Sequence, residues 1–284
     1  MPDAKTLLKN FKNLKTLPHI GLQLTALLSD DNTTIHQIEE LIRLDPTLIL
    51  RLLRLVNSPY YGLREKVTSI SQAIVFIGMK NLRNMVVVEA LRDIYKNSVE
   101  NQIFSRTKLW MHCAVVSISS QMISERVFNK KGEDAFLCGI LHDIGMIVED
   151  QIVPNMFIKV CESYNPKLMN IIDVEKEIIG TDHAAVGNIL AIDWKLPVVV
   201  QDGIKNHHKV TQSLNPESIE GIIQISEYLS AKLNYTAIKA QSVTLSPPLV
   251  VHMGKSISEY KTIMKDLPDE IKKAKDIYQF EQDA

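Results

Sequence analysis

Glycine and aromatic residues are scarce in this chain, and cysteine is nearly absent. The 284 residues include 11 glycines and 3 cysteines, and 6% are aromatic, whereas glycine usually makes up about 7% of a protein. Turn dipeptides typical of β-hairpins are missing, and apolar residues recur at helical rather than alternating spacing. These absences argue against a β-rich fold and predict an all-α protein. Three irregularly spaced cysteines favour a reducing compartment over a disulfide framework, and Cys113 and Cys138 are expected to be small core residues.

A strong charge of either sign and a long apolar run are missing too. The formal net charge is -1, so the chain lacks the basic surface expected of a protein that binds nucleic acid or an anionic membrane. No apolar stretch is long enough to span a bilayer, and the polar start at Met1–Lys5 does not resemble a signal peptide. We therefore expect a cytoplasmic protein with no nucleic-acid partner and no membrane partner.

Helix start signals divide the chain into a series of short helices. Thr34 and Ser69 each precede a glutamine by three residues, which predicts capping boxes. Asp45-Pro46 predicts an N-cap with proline at the first helical position, and Gly78 should break or kink the helix that contains it. A polar stretch near residues 97–106 is the best boundary candidate, so we predict an N-terminal helical lobe over 1–98, a second helical lobe over 99–235 and a C-terminal helical extension over 236–284.

Helices are predicted beyond that boundary near residues 107–128, 133–150, 154–164, 167–180, 182–193, 197–208 and 217–233, with two more after Ser246. Pro154, Pro166 and Pro197 each suit the first turn of a helix. Thr181 and Asp182 are plausible N-caps, which places His183 in the first turn of its helix.

The stretch from Phe136 to Met146 is the most informative part of the sequence, because a His142-Asp143 pair interrupts a long apolar run there. Such a pair is expensive to bury unless it is hydrogen-bonded or coordinates a metal. In a continuous helix the two side chains would lie about 100° apart and could meet one ion only from the side. A single histidine near an apolar face is usually a satisfied core residue, but here an ordered series predicts a buried metal site: His112, His142, Asp143, His183, His207 and His208.

This ordered series resembles that of the HD superfamily of metal-dependent phosphohydrolases. The flanking sequence is similar to the HDOD domain, the HD-related output domain of bacterial signalling proteins, over roughly residues 10–235. The shared motifs are Leu17-Pro18, Asp45-Pro46, Arg54-Leu-Val-Asn57-Ser58, Ser69 to Gly78, Glu177 to Gly187, Trp194-Lys-Leu-Pro197 and His207-His208. The resemblance implies a two-lobed all-α fold and a role in signal transduction, without a generally established catalytic activity. Related HD-GYP enzymes hydrolyse cyclic di-GMP with two or three metals.

Three departures from the catalytic relatives bear on activity. Met146 stands where active relatives often carry a lysine that can meet a phosphate. Glu227 stands where the family pattern has an aspartate, and it is either a metal ligand or a solvated helix residue. The segment Lys209-Val-Thr-Gln replaces the Gly-Tyr-Pro that follows the double histidine in HD-GYP enzymes.

These features predict a bacterial signal-transduction module of the HDOD type that is not catalytic and acts through a ligand or partner. The partner would be a signalling protein, a second copy in a homodimer, or a small ligand such as a nucleotide. The alternative is a phosphohydrolase or phosphodiesterase acting on a nucleotide or cyclic dinucleotide, with Asp143 as its catalytic residue. One or two ions of iron, manganese, zinc or nickel would be held by His112, His142, Asp143, His183, His207, His208 and Glu227. A third possibility is a structural domain whose histidines bond only to one another and to backbone.

Overall fold

The protein is all-α, as predicted. The computed structural model describes residues 4–11, 19–30, 32–42, 44–96, 103–238 and 243–274, and in these ranges it contains fifteen helices and no strand beyond one isolated bridge between Phe104 and Ile238. The helices are α1 (Ala4–Phe11), α2 (His19–Leu28), α3 (Ile35–Ile42), α4 (Pro46–Val56), α5 (Ile70–Lys96), α6 (Arg106–Arg126), α7 (Glu133–Leu141), α8 (Ile144–Ile152), α9 (Pro154–Ser163), α10 (Ile171–Ile178), α11 (His183–Asp193), α12 (Val198–Asn206), α13 (Ile219–Lys232), α14 (Pro247–Lys255) and α15 (Ile257–Lys273).

The predicted start signals cap their helices. At α3, the Gln37 backbone N–H donates to Thr34 Oγ1 at 3.3 Å and the Thr34 N–H donates to Gln37 Oε1 at 2.9 Å, which completes a capping box. At α4, Asp45 Oδ1 accepts the Leu48 N–H at 3.0 Å. The α5 cap differs from the prediction because the side chain of Gln72 accepts from the Thr68 N–H instead of the Ser69 N–H.

The break expected at Gly78 is present. This residue has φ 78° and ψ 161° inside the run assigned to α5, so it interrupts the helix with a backbone conformation that side chains other than glycine rarely adopt.

Two predicted helix boundaries were wrong. Residues 133–150 do not form one helix, because α7 ends at Leu141 and α8 begins at Ile144. The helix expected from residue 167 begins at Ile171 instead, since the Asn170 side chain accepts the Ile172 N–H and caps it there. Pro166 therefore lies in a turn before α10 and not in its first turn.

The long helix α6 lies at the centre of the fold and packs against α7, α13 and α15. It is buried along most of its length, and the apolar core extends continuously from α1 to α15. The described residues after Ser246 contain two helices, as predicted, and α15 packs against α6. Among the described residues no helix is both long and apolar enough to cross a membrane.

Contacts between α5 and α7 join the N-terminal helices to the helices that follow. Arg83, only 1% exposed, donates to Asp134 Oδ1 at 2.7 Å, and Lys80 donates to Asp134 Oδ2 at 2.9 Å. The Asn84 side chain donates to the Glu133 carbonyl at 2.8 Å. The proposed boundary at residues 98 and 99 and the Leu17-Pro18 motif lie outside the described residues, so the division into lobes stays a prediction.

Candidate metal centre

The break between α7 and α8 places His142 and Asp143 at the centre of the fold. His142 is the C-cap of α7 and Asp143 is the N-cap of α8, with φ −100° and ψ 12°. The expectation that these two side chains lie about 100° apart on one continuous helix was therefore wrong. The helix is interrupted at these two residues, and His142 Nε2 lies 3.3 Å from Asp143 Oδ2.

Glycine allows the helices that carry these residues to approach closely. A Cβ atom added at Gly145 would lie 2.0 Å from the His183 carbonyl oxygen, and one at Gly139 would lie 2.6 Å from Ser117 Cα. Atoms this close would overlap, so only glycine permits α8 to meet the start of α11 and α7 to meet α6. These two approaches bring Asp143 to His183 and His142 to His112.

Hydrogen bonds on the outer nitrogen of four histidines fix the direction of their rings. His112 Nδ1 donates to the Tyr235 carbonyl at 2.9 Å, and His142 Nδ1 donates to the Gly139 carbonyl at 2.8 Å. Similar bonds run from His183 Nδ1 to Glu175 at 2.8 Å and from His207 Nδ1 to the Ile204 carbonyl at 2.7 Å. A carbonyl or carboxylate only accepts, so Nδ1 carries a proton, and in the neutral ring Nε2 then directs a lone pair inward.

The carboxylate of Asp143 lies between these inward nitrogens. Its Oδ1 is 3.3 Å from His183 Nε2 and 3.5 Å from His207 Nε2. Its Oδ2 is 3.3 Å from His142 Nε2 and 3.5 Å from His112 Nε2. Asp143 is fully buried, and neither oxygen has a hydrogen-bond partner among the described residues.

The remaining predicted residues complete two adjoining groups around Asp143. His208 Nε2 lies 3.1 Å from His183 Nε2 on one side, and Glu227 Oε1 lies 3.7 Å from His142 Nε2 on the other. Glu227 is 0% exposed, so its interpretation as a solvated helix residue was wrong. The first group is Asp143, His183, His207 and His208; the second is His112, His142 and Glu227.

Burial and the neighbouring charges set the protonation of the centre. Burial lowers the pKa of His112 to about 4 and raises that of Glu227 to about 7. Burial also disfavours the charged form of Asp143, but His142 and the other nearby histidines hold its pKa well below the usual value. For His183 burial is opposed by Glu175 and Asp143, which raise its pKa well above the usual value.

The arrangement fits a divalent cation. Two nitrogens bound at about 2.1 Å to a tetrahedral ion lie about 3.4 Å apart. The contacting pairs of inward donor atoms are 3.1 to 3.7 Å apart, and all the donor atoms of each group lie within 4.8 Å of one another. The buried oxygens of Asp143 and Glu227 also lack partners, although buried polar atoms are normally satisfied. Imidazole and carboxylate are ligands suited to zinc, iron, nickel and manganese. The two groups could hold one ion each, with Asp143 facing both.

A cavity of about 290 Å³ opens onto one side of the centre. His207, His208 and Glu227 line it from the centre, and the turn before α10 contributes Lys167 and Leu168. Met146 is fully buried and is not among the lining residues. Met146, at the position where active relatives often carry a lysine, therefore neither lines this cavity nor supplies a positive charge to it.

Glu175 is a residue of this site that the sequence analysis missed. It is fully buried on α10, and it accepts both the His183 backbone N–H at 3.0 Å and the His183 Nδ1–H. A carboxylate bonded to the outer nitrogen of a histidine orients the ring and increases its basicity as a ligand. One sequence signal could have identified it: Glu175 lies on the apolar face of a short helix, eight positions before His183.

The fold and the site together define an all-helical domain with a buried histidine–carboxylate centre open to one cavity. The protein belongs to the HDOD domain family, whose model matches residues 14–210. A solved structure of a provisionally assigned signal transduction protein from Marinobacter aquaeolei VT8 is 17% identical, with a TM-score of 0.73 over 96% of this chain and 61% of that chain. A provisionally assigned phosphohydrolase from Shewanella amazonensis SB2B is 24% identical, with a TM-score of 0.65 over 92% of this chain and 97% of that one.

One curated relative is longer than this chain. An uncharacterised protein from Treponema pallidum (strain Nichols) is 23% identical over 235 residues, which are 82% of this chain and 44% of that protein. The chain thus spans less than half the length of this relative.

Proposed function

We propose that this protein is a signalling domain built around a divalent-metal centre, and that it acts by binding a ligand or partner rather than by turnover. The observation that carries the proposal is the Asp143 carboxylate, whose two unpartnered oxygens face inward nitrogens of four histidines. A structural domain whose histidines bond only to one another and to backbone would leave both oxygens unsatisfied, at a cost of several kcal/mol for a buried charge.

The packing around the centre supports a signalling role. Helix α1 packs against α8, whose N-cap is Asp143, and against α11, which begins at His183. Helix α5 packs against α7, whose C-cap is His142. If binding at the centre moved α7, α8 or α11, the movement would be transmitted directly to α1 and α5, which pack against them. Such a signal requires that the ligand bind two arrangements of the helices with different affinity.

The cavity beside the centre supports a small ligand with a phosphate group, such as a nucleotide. When bound, a divalent ion supplies positive charge that neutralises phosphate and Lewis acidity that lowers the pKa of water. The chain's own contribution is a floor of buried His207 and Glu227 and half-buried His208, which excludes bulk water from one side. Because Met146 replaces the lysine of active relatives and is buried away from the cavity, binding is favoured over hydrolysis.

The second candidate is a metal-dependent phosphohydrolase, and one observation favours it. The cavity reaches ligand candidates from both groups, His208 of the first and Glu227 of the second, so a substrate phosphate could approach either side of Asp143. The Shewanella protein, itself provisionally assigned as a phosphohydrolase, shares the fold.

Metal content measured by elemental mass spectrometry on protein purified without a histidine tag tests the metal centre. We expect one or two equivalents of iron, manganese, zinc or nickel in the wild type and in His36→Gln, which alters an exposed histidine outside the centre. The double variant His142→Ala/Asp143→Ala should lose the metal. Wild-type protein that is folded, metal-free and unable to bind added metal would overturn the proposal.

Hydrolysis assays on the metal-loaded protein separate the two candidates. With cyclic di-GMP and bis(p-nitrophenyl) phosphate as probes, we expect binding but no turnover above that of Asp143→Ala. Turnover that Asp143→Ala abolishes would overturn the non-catalytic part and establish the phosphohydrolase instead.

A further inference from the structure

Cys113 lies at the centre although its sequence context predicted an ordinary core residue. It follows His112 on α6 and is fully buried. Its Sγ, a nitrogen of His142 and a carboxylate oxygen of Asp143 all lie within 4.8 Å of one another. This third group shares two residues with the histidine–carboxylate centre, so the thiol borders the same space as the predicted ligands.

The other two cysteines show that burial alone does not produce this arrangement. Cys138 and Cys161 are also buried, but neither belongs to a group of possible metal ligands among the described residues. Cys138 lies on α7 with its Sγ 3.8 Å from the Val200 carbonyl. Of the three cysteines, only Cys113 belongs to such a group, with its Sγ within 4.8 Å of a carboxylate oxygen of Asp143.

We propose that Cys113 is a thiolate ligand of the ion beside His142 and Asp143, so that the centre prefers a thiophilic divalent cation such as zinc, cobalt or iron over manganese or magnesium. The proposal rests on the proposed metal centre and adds a ligand to it. A sulfur at about 2.3 Å and a nitrogen at about 2.05 Å from a tetrahedral ion are about 3.6 Å apart, and the three candidate ligand atoms here lie within 4.8 Å of one another.

A thiolate changes which metals the centre selects. Carboxylate and imidazole ligands alone would accommodate manganese, whereas a sulfur ligand favours softer ions. Binding breaks the S–H bond and forms the metal–sulfur bond with the same electron pair, and the proton leaves to solvent. Filling the site beside His142 and Asp143 should therefore release one more proton in the wild type than in a variant that lacks the thiol.

Cobalt(II) loading of the 284-residue chain tests the proposal, because a thiolate bound to cobalt produces an intense near-ultraviolet charge-transfer band that imidazole and carboxylate do not. We expect the band in the wild type, in Cys138→Ser and in Cys161→Ser, and its loss in Cys113→Ser. The cobalt content of each sample is measured by elemental mass spectrometry. Removing an outer-shell partner of a metal ligand typically lowers metal affinity by about tenfold or more. Loss of a direct ligand should cost at least as much, so the preference for zinc over manganese should fall by at least about tenfold in Cys113→Ser.

The outcomes distinguish this inference from the metal centre itself. Bound cobalt without the band in the wild type, or a band that survives in Cys113→Ser, would refute the thiolate ligand and leave the metal centre intact. A wild type that binds no cobalt or other metal would overturn both. If Cys113→Ser does not fold, X-ray absorption on the zinc-loaded wild type decides, because a sulfur neighbour at about 2.3 Å is expected and a shell of nitrogen and oxygen alone would refute it.

Discussion

Replacing Gly145 by alanine should both destabilise the protein and remove its metal. The added Cβ would lie 2.0 Å from the His183 carbonyl oxygen, which is 1.4 Å short of ordinary contact at 3.4 Å. The three nearest atoms all belong to the His183 backbone, so no side-chain rotation relieves the overlap and α8 must move away from α11. Overpacking of this kind costs about 1–3 kcal/mol of unfolding free energy.

The same displacement acts on the centre. His183 Nε2 and Asp143 Oδ1 are 3.3 Å apart, and metal–ligand distances tolerate about 0.2 Å of error. A shift approaching 1 Å between α8 and α11 would therefore separate two predicted ligands of one ion. We expect metal content measured by elemental mass spectrometry to fall in parallel with the unfolding free energy measured by urea denaturation.

Gly254 provides the matched control. An added Cβ there meets no atom within 4 Å, and the residue lies within α14. Gly254→Ala should therefore leave the metal content unchanged and raise the stability by up to about 1 kcal/mol, since alanine favours a helix more than glycine does. If Gly145→Ala behaves like Gly254→Ala in both assays, the close approach of α8 and α11 does not position the site.

Three further predictions concern the support of the centre and its coupling to stability. Glu175→Gln should weaken metal binding by about 10- to 100-fold in a chelator competition titration, because His183 loses its charged partner. Asp134→Asn should lower the stability at pH 7 by about 1–3 kcal/mol, because Arg83 stays buried without its carboxylate. Burial raises the pKa of Asp134, but hydrogen bonds from Lys80 and Arg83 outweigh burial and lower its folded-state pKa below 3.8. The stabilisation by this ion pair should therefore be fully present above pH 3.8 and be lost as the pH falls through the folded-state pKa. Saturation with zinc to 100 times its Kd should raise the stability by about 2.7 kcal/mol, which a thermal melt with and without chelator measures.

Each of these has a result that would contradict it. Glu177→Gln changes an exposed residue on the same helix as Glu175 and should leave the metal affinity unaltered. If Glu175→Gln and Glu177→Gln bind metal with equal affinity, Glu175 does not position His183. A stability difference between wild type and Asp134→Asn that persists unchanged far below pH 3.8 would refute the ion-pair explanation. Melting temperatures that ignore both zinc and chelator would show that no metal binds the folded state preferentially.

The capping signals were predictable because they depend on residues within four positions of one another. Thr34, Asp45 and Asp182 each accept a backbone N–H three residues on, and this geometry follows from the helix itself. The break at Gly78 was predictable for the same reason. The end of α7 was not, because only His142-Asp143 interrupts the apolar run from Phe136 to Met146, and the Asp143 side chain makes no capping hydrogen bond there.

The site was predictable as a set of residues but not as an arrangement. The order of the histidines and Asp143 along the chain identified six of the candidates, and the family resemblance added Glu227. Its burial could not be inferred, since a glutamate on an amphipathic helix is usually solvated. Glu175 and Cys113 were missed because the role of a buried carboxylate or thiol depends on which residues of other helices lie next to it.

The sequence by itself determined the helical class, most helix starts and the residue types available to hold a metal, because propensity, capping and apolar spacing act locally along the chain. Only the tertiary structure decided which nitrogen of each histidine faces inward, that Asp143 meets four of them, and that Cys113 lies among them. The physical reason is distance along the chain. His112 is fixed by the Tyr235 carbonyl, 123 residues away, and such a bond exists only once α6, α7 and α13 have packed together.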